Sequence, residues 1–398
     1  MTAATGITVA EHAARRARLL EVAANQGLGG FVLFGATPIR YYTGFEFLAT
    51  ERPVAVAAND SGDLVVFVPA FEVERVHDET SFERVESYPE YPGLEHPMRV
   101  FGRILADHGA CGPLGADSDG YPGLLGYQGP SLSEITGSPV VSLAAAIDRM
   151  TVRKSPAEIE LIRESARWCE HAHRLLQEYS RPGATEAQAS LRAGYEATLA
   201  MLEALGPSYS GQQSSQDGAT AGYRGQIGKR SGWAHAVAHN IEFQAGDVLV
   251  TETAAPVWGY NAELERAMII GEPTDEMRRL FDHTVIAQQV AFAALRPGVA
   301  CADIDGAVLA YFEGDGLLGN WRQHVGHGIG LGNHEAPFLD IGDHTVIEQG
   351  MVFTIEPGVY TDDIGGFRHS DTVVVTVDSI EILTEYPRDI ESLTIQVG

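Results

Sequence analysis

The chain has 398 residues, 44% of them hydrophobic and 20% charged, with 54 acidic against 27 basic side chains and a formal net charge of -27. That length exceeds one compact core at about 100–200 residues per domain, so two domains are expected. The acidic balance makes nucleic acid and anionic membrane poor partners and suits a cationic small substrate, while the absence of a long apolar run or a signal-peptide order predicts a cytoplasmic protein.

From Ala10 to Gln26 the apolar residues recur at helical spacing, and Gly27, Gly29 and Gly30 end that helix before the strand-like Phe31–Phe34. Pro53–Ala58 and Leu64–Pro69 read as two strands joined by the turn residues Asn59–Gly62. Helices near Phe71–Val76 and Arg99–His108 complete a mixed α/β segment. The stretch TVRKSPAEIE, from Thr151, is a Ser-Pro helix start with Glu158 in the first turn, and it places the domain boundary, giving domains 1–152 and 153–398.

Two long helices, Ala157–Tyr179 and Ala187–Leu205, open the second domain. The Arg-Pro-Gly between them, from Arg181, returns at Arg296, again after one helix and before another, which predicts two related halves. After Gly206 the chain turns Gly-, Ser- and Gln-rich without periodicity and is expected to form a loop, or flap, leading to His235. Cys111, Cys169 and Cys301 are an odd number at wide spacing, with no CxxC pair, and are expected to be reduced thiols.

The residues that can do chemistry cluster late. Gly246-Asp247 turns into a strand carrying Glu252, and a connection ending in Gly259-Tyr260 returns a partner strand carrying Glu263 and Glu265 on one face. The stretch Trp321–Tyr360 holds His327 and His334 in a glycine-alternating segment and a strand that delivers Glu356 to a Pro-Gly turn. Imidazole beside carboxylate serves either metal coordination or acid–base chemistry. The glycines at 326, 328, 330 and 332 do not fit a dinucleotide loop. Of His235 and His239, spacing favours His235 as the active one. Arg368 and Asp371 are candidates for an internal ion pair, and Arg368 equally for substrate contact.

These motifs, GDVLVTE, GHGIGLGNHE, GMVFTIEPGVY and GGFRHSDTVVVT, resemble the pita-bread superfamily of methionine aminopeptidase, prolidase, aminopeptidase P and creatinase, over about the whole chain. The resemblance implies an α/β (α+β) protein: an N-terminal creatinase/prolidase-like domain, then a pita-bread domain of two related halves. In the family's peptidases two aspartates, a histidine and two glutamates hold two divalent ions. Those positions here are Glu252, Glu263, His327, Glu356 and Ser370, so three of five depart. Gly259-Tyr260, Leu264-Glu265-Arg266 and the missing last glutamate are similar to creatinase, which works without metal.

The expectation is therefore a metal-independent, creatinase-like hydrolase of a carbon–nitrogen bond in a small cationic substrate, without cofactor, one divalent ion being left open. His235, His334 and Glu356 would act as catalytic groups. Glu252, Glu263, Glu265, His327, Arg368 and Ser370 would bind substrate, with Arg52 reaching from the neighbouring subunit of a homodimer. The alternatives are an Xaa-Pro peptidase with metal, and an inactive binding module or specialised lyase.

Overall fold

Thr8 accepts a hydrogen bond from the Glu11 amide and starts the first helix, Val9–Asn25, whose buried side includes Leu19 and Ala23. This is the opening element of a computed structural model that describes residues 6–207, 209–211 and 218–397. The chain divides into two compact units, Met1–Thr151 and Val152–Gly398.

The first unit is built on a six-stranded mixed sheet. Its order is Val85–Tyr88, Leu64–Pro69, Ala55–Asn59, Gly30–Leu33, Leu114–Ala116 and Val140–Ser142. The central strands are buried at consecutive residues, which is why they read as continuous apolar runs rather than as alternation. The hairpin turn is held by Asn59, whose Oδ1 accepts from the amides of Ser61 and Asp63 at 3.0 Å each. The helix anticipated near Phe71 begins as a 3-10 turn, Ala70–Glu72, and continues as Val73–Glu79. Arg52 ion-pairs with Glu51 at 2.5 Å and Glu90 at 2.7 Å.

The second unit begins at the anticipated helix start: Ser155 and Glu158 form a reciprocal capping box on Pro156–Tyr179. Its main sheet runs Glu335–Leu339, Gly326–Gly328, Val352–Ile355, Ser370–Val375, Glu263–Glu265, Glu252–Ala254 and Thr220–Gly222, with Ile380–Ile382 added on Ser370–Val375. The repeat is structural as well as sequential. After Arg-Pro-Gly, Thr185 bridges Glu242 and Ala300 bridges Val346, both antiparallel. Gly183 donates to the Phe243 carbonyl and Gly298 to that of Ile347. Each half then turns at a glycine in the left-handed region, Gly246 (φ 91°) or Gly350 (φ 86°), before a buried strand. These are the two related halves of a pita-bread domain, with a core of buried aliphatic and aromatic side chains.

The segment after Gly206 departs from a pure loop. Residues 208 and 212–217 lie outside the described residues, but Thr220–Gly222 is a strand paired with Glu252–Ala254, and Gly228–Gly232 is a 3-10 turn. Three residues containing a glycine are too few to show strand periodicity in the sequence.

Candidate active site

The strand Glu263–Glu265 is sandwiched between Glu252–Ala254 and Ser370–Val375, with Glu263 opposite Ala254 and Glu265 opposite Ser370. Alternation along the strand puts Glu263 and Glu265 on one face, where they are 7% and 1% exposed. Glu356 leaves the end of Val352–Ile355, its amide fixed on the Val325 carbonyl at 2.7 Å. His327 stands on Gly326–Gly328 and is fully buried. Oxygen atoms of Glu263, Glu265 and Glu356 lie within 4.8 Å of one another, as do ligand atoms of Glu263, His327 and His334.

Four carboxylates so near each other need positive charge. Arg368 grips Glu265 through Nε and through Nη2, the latter at 2.5 Å, and also lies 4.0 Å from Glu356. The Tyr360 hydroxyl and Gln323 Oε1 accept from its Nη1 at 3.4 and 3.5 Å. Burial lifts the Glu265 carboxyl to about 7 despite that guanidinium. Glu252 is paired with Arg224 at 2.5 Å, and Arg224 also lies 3.9 Å from Glu265. Glu263 accepts a hydrogen bond from the Ser370 hydroxyl at 2.9 Å, and burial together with Glu356 and Glu265 outweighs the nearby His327 and holds it well above the usual carboxylate range.

The histidines divide by environment. Burial opposes charge on His327, but the adjacent Glu356 and Glu263 outweigh it and raise its pKa to about 9. His327 Nδ1 is 2.9 Å from the Gly328 carbonyl, whereas Nε2 is buried without a hydrogen-bond partner among the described residues, although Glu356 Oε1 is 3.3 Å away. His334 stacks on His327 with ring centroids 3.6 Å apart, and partial burial and that neighbouring ring lower its pKa to about 4.

Most residues singled out in the sequence converge here: Glu252, Glu263, Glu265, His327, His334, Glu356, Arg368 and Ser370. His235 sits in an exposed turn and interacts electrostatically with His324. The His239 amide donates to Glu186 Oε2 at 2.9 Å, at the start of a helix 53 positions earlier. The suggested pair of Arg368 with Asp371 does not form. Asp371 is on the opposite side by strand alternation and pairs with Arg266 at 2.8 Å and Arg388 at 2.9 Å. The sequence reading missed Arg224, Gln323, His324 and Tyr360. His324 lies 4.0 Å from Glu356 and three residues before His327, a spacing that could have drawn notice; Arg224 lies in the stretch without periodicity and gave no signal.

Fold and site together are those of a hydrolase acting on carbon–nitrogen bonds. The chain belongs to metallopeptidase family M24, which matches residues 160–377, and a creatinase/prolidase N-terminal domain matches residues 15–122. It is 33% identical over 163 residues to an Xaa-Pro dipeptidase of Pyrococcus furiosus, covering 41% of this chain and 47% of that one. A probable dipeptidase PepE of Mycobacterium tuberculosis is 27% identical over 392 residues, 96% of each chain. Among solved structures, the Xaa-Pro dipeptidase from Bacillus anthracis superposes with a TM-score of 0.80 at 22% identity, covering 97% of this chain and 100% of that one, a likeness of fold.

These findings overturn the expectation of a metal-independent, creatinase-like hydrolase of a cationic substrate, because the family is one of metallopeptidases and the similar proteins are dipeptidases. The physical misjudgement was to weigh the neutral Ser370 and the methylene added at each aspartate-to-glutamate exchange as enough to abolish metal dependence. Glu263 still converges with the other candidate ligands, whereas Glu252 is drawn to Arg224. The donor set fits a divalent ion: buried carboxylates short of positive charge surround an unpartnered imidazole nitrogen, and carboxylate with imidazole suits manganese, iron or zinc.

Proposed function

We propose that the protein is a metal-dependent peptidase that cleaves small peptides of the Xaa-Pro type. The observation that carries this reading is a pair of overlapping ligand groups that share Glu263, one with His327 and His334 and one with Glu265 and Glu356, joined where His327 Nε2 lies 3.3 Å from Glu356 Oε1, in a chain of family M24. Glu263, His327 and Glu356 would hold the ion, which supplies Lewis-acid activation of the scissile carbonyl when bound.

The protein's own groups then have separate work. Glu356, opposed by burial but held below the usual carboxylate range by His327 and Arg368, stays anionic at neutral pH. His334, neutral and open to solvent, is placed to donate a hydrogen bond from its ring N–H to substrate. His324 and His235 would line the same rim. Residues 1–152 would form the N-terminal domain and 153–398 the catalytic one, in a homodimer, with Arg52 free for a contact across it only if it leaves Glu51 and Glu90.

The test is an Xaa-Pro dipeptide assay on protein treated with a chelator and then resupplied with Mn2+. Turnover should vanish on chelation and return with the metal. Activity indifferent to chelation, or none towards any Xaa-Pro dipeptide in the metal-loaded protein, would overturn the proposal.

A further inference from the structure

We infer that the centre holds one divalent ion, and that two arginines, Arg224 and Arg368, stand in place of a second. This inference rests on the metal-dependent reading above and goes beyond it. The argument begins with charge. Glu252, Glu263, Glu265 and Glu356 bring four negative charges to the cluster. Arg224 on Glu252 and Arg368 on Glu265 neutralise two of them through direct ion pairs. What is left, Glu263 and Glu356 beside His327, whose ring would give up its proton to ligate, matches a single divalent cation. A second ion would put six positive charges against four negative, and although Arg224 and Glu252 are partly exposed, the excess would fall beside the buried Arg368–Glu265 pair, where unbalanced charge is strongly disfavoured.

Geometry and chemistry give the same answer independently. Glu263 belongs to both candidate ligand groups, but the position opposite Glu265 that could add a further carboxylate for a second ion carries Ser370, a neutral hydroxyl already committed to Glu263 at 2.9 Å. The other carboxylates beside the cluster are engaged, Glu265 by Arg368 and Glu252 by Arg224 at 2.5 Å. Arg224 itself adopts φ 47°, a left-handed conformation uncommon outside glycine, immediately before Gly225 at φ 74°. Such backbone cost is retained where a side chain must be aimed. Arg368 is 2% exposed and cannot swing to solvent to make room. The Nε2 of His327, without a hydrogen-bond partner among the described residues, is the imidazole atom that would hold the one ion.

The inference is tested by metal content and spectroscopy, without reference to turnover. The full-length protein is stripped with a chelator, titrated with Mn2+ by calorimetry, and examined by electron paramagnetic resonance. One Mn2+ per chain with the spectrum of an isolated ion is the expected result. Two per chain with a spin-coupled spectrum would overturn the inference and leave the metal-dependent reading intact, whereas no uptake would overturn that reading itself. A second measurement uses the double variant S370E/R224Q, which supplies a shareable carboxylate and releases Glu252. Uptake of a second Mn2+ by the folded variant supports the assignment; a folded variant that stays at one ion overturns the role given to these two residues.

Discussion

Arg368 and Glu265 are at most 3% exposed and bound to one another through two nitrogens and two oxygens. A buried pair of this kind contributes little net stability compared with apolar residues of similar size, yet removal of one member strands the other's charge at a cost of about 3–5 kcal/mol. Arg368→Met in the metal-free protein is therefore expected to lower stability towards urea by about that amount, because Glu265 is left buried with no guanidinium. Adding Glu265→Met should recover most of the loss. Urea titration of the single and double variants decides it: equal midpoints for the two would show that the pair's charge is not what the single variant exposes. The identity of both residues was plain in the sequence, but their partnership was not. Sequence adjacency suggested Asp371 for Arg368, and only strand parity, which sends Asp371 to Arg266 and Arg388, assigns the arginine to a residue 103 positions away.

At the scale of elements, the strand Gly326–Gly328 shows why glycines alternate around His327. A Cβ on Gly326 would lie 1.9 Å from the Thr354 carbonyl oxygen, and one on Gly328 would lie 2.7 Å from that of Ala336. The neighbouring backbones approach closely enough to seat His327, whose amide reaches Thr354 Oγ1 at 3.1 Å. Gly326→Ala should push the strands apart, costing about 1–3 kcal/mol as overpacking does. Because His327 moves with its strand, Mn2+ affinity should also fall by at least about tenfold, the scale seen when a ligand's orientation is disturbed. A variant with the wild-type urea midpoint and Mn2+ affinity would sink this account. Helix starts, the hairpin at Asn59–Gly62 and the doubled Arg-Pro-Gly pattern were legible because each is local chemistry: a cap, a turn, a repeated glycine. Arg224 and the strand Thr220–Gly222 were not, because a three-residue strand is defined by its partner and carries no period of its own.

For the whole molecule, acidity of the medium acts on more than the surface. His173 and His369 are both fully buried in the second unit. His173 Nε2 is 2.8 Å from Thr251 Oγ1, and burial followed by the charge of Arg266 lowers its pKa from 6.5 to about 3. His369 packs edge-on against Phe281, and burial followed by Arg266, Arg388 and His173 pushes its pKa well below 6.5. Both folded-state values are depressed, so below pH 6.5 the unfolded chain binds protons that the folded chain refuses. Stability is then fully present above that pH and is lost as pH falls towards the folded-state values, approaching about 1.4 kcal/mol per pH unit for each histidine. Between pH 7 and 5 most surface carboxylates keep their charge, so the histidines can be read there before the acidic surface itself begins to titrate. His369→Phe removes one of the two proton acceptors while keeping an aromatic ring against Phe281. Its stability, measured by urea unfolding of metal-free protein at pH 7, 6 and 5, should decline less steeply than that of the wild type. The difference between the two slopes should correspond to at most one proton, and parallel curves would show that His369 is charged, or solvated, in the folded chain.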